Sequence, residues 1–226
     1  LMVGTEFSNK GCERGGEIDF SSDKFIRFIE PLNLDFGHTP VEFKYDNPTL
    51  ILVDAVHSIN RHYQNFVVPR VELIRQSGIK TLEEIRFSID SLGVDEFCNL
   101  WHYRHPQRVE ILRDLASKFL SIKENLGIDD TLEAMQHWGM QSTVDEFDRF
   151  NVQGIGFTTF QYLRIMCGSD TVKPDVHITR AVYQAIEKKC NLKSVVEIVE
   201  TSAKRINVRA RQLDYALWSY YSQESK

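Results

Sequence analysis

A carboxylate just after a proline, at the mouth of a helix, can do two kinds of work, and Asp175 in Lys173-Pro174-Asp175-Val-His-Ile-Thr-Arg is such a residue. It can cap the helix by accepting backbone N–H bonds. It can also stabilise positive charge developing on a reacting group, or help align an attacking water. The residues alone favour the cap, and one side chain can fill both roles. The second constellation is Val-Gln-Gly-Ile-Gly-Phe-Thr-Thr-Phe at 152–160. Gly154 and Gly156 permit positive φ and close backbone approach, so a helix can end, turn sharply and restart. Ile155 between them is expected to tuck into the core. The N–H groups from Ile155 to Thr158 then lack helical partners and, with the helix dipole behind them, suit a phosphate oxygen without reading base sequence. The plainer alternative is that the glycines merely close one helix.

These residues must be positioned by helices, because apolar residues recur at three and four and no long alternating run competes. Asp46-Asn47-Pro48 is a strong helix start, followed by the nearly all-apolar LILVDAVHSINRHY, read as a buried central helix. Further helices are expected at 69–76 before Gly78, at 80–92 from Thr81 to Gly93, at 95–103, and from Pro106 to Gly127. Short helices at 131–137 and 144–150 lead into the glycine hairpin, and three more follow over 176–188, 195–206 and 209–220. Upstream, one short helix over 22–30 is expected, capped by Ser21 or Ser22 and stopped by Pro31. VEFKY at 41–45 is the one short strand signal. The expected class is all-α.

The chain has 226 residues, 42% of them hydrophobic, and no apolar run of transmembrane length. No secretory signal is visible, and the opening LMVGTEF is set aside as a tail foreign to the fold. Cys12, Cys98, Cys167 and Cys190 are scattered without a CxxC pair, so reduced thiols in a cytosolic protein are expected. The net charge of −5 argues mildly against nucleic acid, but its distribution matters more. Cations dominate from Glu187 to Arg211, whereas the segment from Glu13 to Asp46 is acidic.

VQGIGFTTF and PDVHI, at their separation here, resemble the helix-hairpin-helix motif and trailing aspartate loop of the endonuclease III-like DNA glycosylases. The resemblance runs over residues 46–222, with sharp motifs in only part of that span. WHYRHPQRVEILRDLA resembles the family's helix before the hairpin region, and LDYALWSY its closing helix. What it implies is two helical domains with a cleft between them: 46–172, ending in the hairpin, and 8–45 plus 173–226, formed by both chain ends. Asp175 falls on the catalytic aspartate, on the cleft wall. Thr158 falls where bifunctional members carry the Schiff-base lysine, and a threonine cannot form the imine that drives strand cleavage. Lys173 is the nearest amine, more simply solvated or phosphate-facing.

The implied activity is therefore monofunctional hydrolysis of the N-glycosidic bond of a flipped, damaged or modified base, as in base excision repair. The implied partner is double-stranded DNA bearing that base, met by a monomer in the nucleoid or nucleus, with no membrane. Gly154, Ile155, Gly156, Thr158, Lys173 and His57 are the implied DNA contacts. The polar group His57, Asn60, His62 and Tyr63 matches the loop that fills the gap left by a flipped base, although a polar helix end is also simply exposed. In the family a monovalent cation often sits beneath the hairpin, held by backbone carbonyls; no other cofactor is expected. Nothing after Cys190 supplies an iron–sulfur loop, and no metal site is expected at His177, which is read as packing and hydrogen-bonding behind the aspartate. Trp101, Trp138, Trp218 and Tyr162 are mostly core by type, with one or two available to stack on a base. The competing function is a non-catalytic helix-hairpin-helix DNA-binding module, kept open by the acidic net charge and the missing lysine.

Overall fold

Local signals start and stop most of the helices. A computed structural model describes residues 10–37 and 45–223, with side chains at 16–37 and 45–222. In chain order the helices are α1 (Lys10–Ile29), α2 (Pro48–His57), α3 (Val68–Ser77), α4 (Leu82–Leu92), α5 (Val94–Leu100), α6 (Pro106–Leu126), α7 (Thr131–Gln141), α8 (Phe147–Phe150), α9 (Phe157–Met166), α10 (Val176–Ile186), α11 (Leu192–Arg205) and α12 (Ala210–Gln223). Short 3₁₀ turns occupy Glu30–Leu32 and Val144–Glu146, and a π turn occupies Tyr63–Val67. The described residues contain no strand. VEFKY lies outside them except for Tyr45, as does LMVGTEF.

Asn47 caps α2 by accepting from Thr49 N–H at 2.8 Å, with Pro48 in the first turn, where its missing N–H costs nothing. Thr81 and Glu84 form a reciprocal capping box on α4. Gly78 and Gly127 close α3 and α6 in the left-handed region. One expectation fails: α1 begins at least by Lys10, so Ser21 and Ser22 lie inside a helix and cap nothing. Ser22 is fully buried and donates to Ile198 O at 3.3 Å. Packing of α1 on α10 and α11 holds this helix, overriding the weak propensity of Gly15-Gly16.

The chain divides into two compact units, Leu1–Thr39 with Thr171–Lys226, and Pro40–Asp170. The larger centres on α2, whose residues Leu50 to His57 are all buried against α3, α4, α6 and α9. Its far end is an aromatic core in which Phe119, Trp138, Phe150 and Phe160 meet edge-on or tilted. In the other unit, Phe25 of α1 is buried with Ile178, Val182, Val195, Val199, Leu213 and Leu217 of α10 to α12. No helix among the described residues is long and apolar enough to cross a membrane.

The charge segregation seen along the sequence is folded back on itself in this unit. Arg205 Nη2 meets Asp23 Oδ1 at 2.5 Å, and Lys188 Nζ meets Glu17 Oε1 at 3.1 Å. Two of the cations of the 187–211 stretch are thus paired with acids of α1.

Candidate functional site

The glycine loop sits between two rings. Phe150 ends α8 and Phe160 lies in the first turns of α9, with ring centroids 5.2 Å apart, so residues 151–156 leave and re-enter one aromatic cluster. Ile155 N–H bonds Val152 O at 3.1 Å, closing a turn in which Gly154 has φ +86°. A Cβ on Gly154 would lie 2.5 Å from Ile111 Cδ1, so both backbone and packing demand glycine there. Ile155 is buried, as its apolar type requires. Gly156 differs: its φ is −82°, and a Cβ there would meet nothing within 4 Å. It precedes α9 without any side-chain cap.

The Asp175 loop is pinned on both sides. Thr171 and Val172 are buried, and Thr171 Oγ1 donates to Glu200 at 2.5 Å. Lys173 N–H donates to Asp214 Oδ1 at 2.9 Å, and Asp175 N–H to Lys173 O at 2.7 Å, which tightens the chain into a turn across Pro174. Asp175 Oδ1 then accepts from the His177 and Ile178 N–H groups at 2.9 and 3.1 Å and caps α10. Oδ2 makes no hydrogen bond among the described residues. Asp175 is half-buried, and Val176 beside it is 64% exposed. The cap geometry therefore occupies one carboxylate oxygen and leaves the other for different chemistry. His177 contributes its backbone to the cap, not its ring. Its Nδ1 is buried without a partner, in place of the expected hydrogen bond behind the aspartate.

Asp214, on α12, is a functional candidate that sequence reasoning missed. Burial of its carboxyl, reinforced by the neighbouring Asp175 charge and opposed by the Lys173 N–H and ammonium, pushes its pKa up to about 8. The loop thus sets Asp175 beside a carboxyl whose hold on its proton is strengthened, an arrangement that sets the two groups apart. A raised carboxyl pKa means the folded state binds the extra proton. The associated stability is complete below the unfolded value of about 3.9 and is lost as pH rises through about 8. Asp214→Asn keeps the Oδ1 acceptor for Lys173 and cannot ionise. Melting temperature of the parent is expected to fall by several degrees between pH 6 and pH 9, and that of the variant to stay flat; parallel curves would contradict the assignment.

The remaining sequence candidates scatter. His57, expected at an exposed helix end against DNA, is fully buried. Its ring packs edge-on against Trp101 at 4.3 Å and Phe66 at 5.8 Å, because α2 ends inside the unit and the following residues wrap over it. Burial, with Arg108 and Arg70 nearby, lowers its pKa to about 3, so the ring is neutral. Asn60 and His62 are exposed, and Thr158 and Lys173 are half-buried. Trp101 and Trp138 are core, while Trp218 is half-buried, 5.9 Å from the Tyr215 ring.

Tyr63 and Tyr162 belong to a second polar cluster, centred on Asp54 of α2. Asp54 is fully buried. Its Oδ2 accepts from Tyr45 at 2.5 Å and Tyr63 at 2.9 Å, and its Oδ1 from Tyr162 at 2.9 Å and Ser58 at 3.0 Å. Burial and the Asp54 charge push all three phenols up, so they remain donors. With both oxygens saturated, this carboxylate holds helices together and is not offered to a substrate.

Among known protein families, the chain matches one described as a domain of unknown function, DUF8548, over residues 32–222. No curated protein and no solved structure matches it. The match spans the glycine loop, the Asp175 turn and the Asp54 cluster, and the chain belongs to the DUF8548 family.

Proposed function

We propose that this protein is a monofunctional DNA glycosylase, releasing a damaged or modified base from duplex DNA by hydrolysis. The observation that carries the proposal is Asp175. A turn pinned by Asp214 and the α10 N–H groups fixes one of its oxygens and leaves the other without a bond. A preorganised carboxylate of this kind stabilises the oxocarbenium character that builds on the sugar as the glycosidic bond breaks. Thr158 supplies no amine, so water is the nucleophile. Asp214 keeps the loop in place through Lys173 and, holding its proton, adds no second charge beside Asp175.

The hairpin supports the same reading through backbone chemistry. Gly156 opens an uncapped helix onto free space, where N–H groups and the dipole of α9 favour a phosphate oxygen. The two glycines are expected to separate. Gly154→Ala forces a side chain into left-handed backbone against Ile111, with a cost on the order of 1–3 kcal/mol in chemical unfolding. Gly156→Ala is expected to unfold like the parent and to bind every duplex more weakly, with base preference unchanged. Normal binding by a folded Gly156→Ala protein would move the DNA face elsewhere.

The function itself is tested by incubating the protein with duplexes carrying individual lesions. The expected product is an intact strand with an abasic site, broken only by alkali or heat. Efficient borohydride trapping of a protein–DNA adduct would replace the monofunctional reading with an amine nucleophile. Tight binding to duplexes with no base release from any lesion would favour the non-catalytic module.

A further inference from the structure

Three guanidiniums gather around one ring in the 40–170 unit. Arg70, Arg61 and Arg108 place their Cζ atoms 5.2, 5.8 and 5.8 Å from the Tyr103 ring centroid. Arg70 also stacks over Phe66 at 3.6 Å, and Arg61 Nη2 donates to the Tyr103 hydroxyl at 2.8 Å. Among the described residues, none of the three meets a carboxylate within 4.0 Å. Burial lowers the pKa of both Arg70 and Arg108, and the neighbouring guanidiniums push in the same direction. Asp54 offers no relief, since four hydroxyls saturate it.

The arginines are not equivalent. Arg108 is buried and bonds Val56 O and, at 2.6 Å, Ile59 O, so it closes the carbonyl end of α2. Arg61 is exposed, and Arg70 is half-buried, donating to Phe66 O at 2.8 Å. Around them lie buried polar atoms with no partner among the described residues: both ring nitrogens of His57, Nε of Arg70 and Nδ1 of His105. His57 is fully buried, and the His105 ring is 5.5 Å from that of Tyr103. Buried polar atoms are seldom left unpaired, and here several of them surround unneutralised positive charge. Guanidiniums without a carboxylate, together with N–H donors that lack an acceptor (Arg70 Nε and the one N–H of the neutral His57 ring), describe a place for an oxyanion.

We infer that Arg61 and Arg70, braced by Tyr103 and Phe66, form a phosphate-binding site. Guanidinium forks suit phosphate because their parallel N–H donors match its oxygens. Stacking on Phe66 and Tyr103 holds the forks in place before the anion arrives. The site does not depend on the glycosylase reading, and it takes the phosphate either of a nucleic-acid strand or of a free or terminal monoester.

The test follows the histidine ring resonances of the full chain during titration with inorganic phosphate. His57 and His105 are the reporters, and chloride at matched ionic strength is the control. Saturable shifts with phosphate alone are expected. Arg61→Gln combined with Arg70→Gln, which leaves Arg108 on its carbonyls, is expected to weaken phosphate binding about tenfold or more at unchanged melting temperature. Two duplexes then distinguish the sources, one without terminal phosphates and one 5′-phosphorylated. Shifts with both, and a salt dependence shallower by about one counterion per lost arginine in the variants, assign the site to the strand backbone. Shifts with inorganic phosphate and the 5′-phosphorylated duplex only assign it to a monoester. No shift with any of the three probes, or equal binding by the folded double variant, overturns the proposal.

Discussion

Asp54→Ala is expected to remove on the order of 3–5 kcal/mol of stability, a large share of the ~5–15 kcal/mol available to a domain. The substitution does more than open a small void. It strands the hydroxyls of Tyr45, Tyr63, Tyr162 and Ser58, which donate to one buried carboxylate and have been taken out of water to do so. Asp54→Asn is expected to fall between parent and alanine. An amide retains one oxygen acceptor, and its NH₂ faces donors on the other side. The order parent, asparagine, alanine in urea midpoints, at constant m-value, is the expected result. A cost below about 1 kcal/mol for alanine would mean that the cluster does not bear on stability.

The parts of the fold that were legible in the sequence are those with local causes. Asn47-Pro48, Thr81 with Glu84, and the glycines at 78 and 127 act within a turn of where they stand, and the helix boundaries there follow from them. The all-helical class followed from the same periodicity. The start of α1 was not legible. Gly15-Gly16 speaks against a helix locally, and what holds that helix is packing on α10 and α11, far along the chain. The paired charges were illegible for the same reason. Glu17 and Asp23 look like an acidic segment until Lys188 and Arg205 are folded onto them.

The candidate site divides in the same way. Asp175 as a cap and Gly154 as a left-handed turn were readable from residue type and order. That Gly154 is fixed by Ile111, whereas Gly156 faces open space, was not, because Ile111 belongs to a different helix. Asp54 stood in a nearly continuous apolar run and gave no sign of the tyrosines it collects, one of them 108 residues away. Asp214 was likewise hidden. Its partner, the Lys173 N–H, is 41 residues upstream, and a single acid in an amphipathic helix reads as solvated. His57 failed in the opposite direction, since a polar residue at a helix end suggests exposure and the π turn with Trp101 and Phe66 covers it.

Asp175→Asn carries the central claim. Asparagine has nearly the same volume, caps helices well, and can still accept from His177 and Ile178 through Oδ1. Melting temperature is expected to change little, while removal of the neighbouring charge draws the Asp214 pKa down from about 8. The charge offered to the sugar cation is lost, and that interaction is needed in the transition state and not in the ground-state complex. Rates are therefore expected to fall on the order of 10²–10³-fold. Duplex affinity survives or tightens, because a carboxylate near phosphate repels it. The decisive measurement is single-turnover base release by parent and variant from a lesion duplex that the parent processes, with affinity and melting temperature taken on the same preparations. A large loss of base release at retained affinity and stability is the predicted result; base release by Asp175→Asn at the parent's rate would reduce Asp175 to a helix cap and contradict the account.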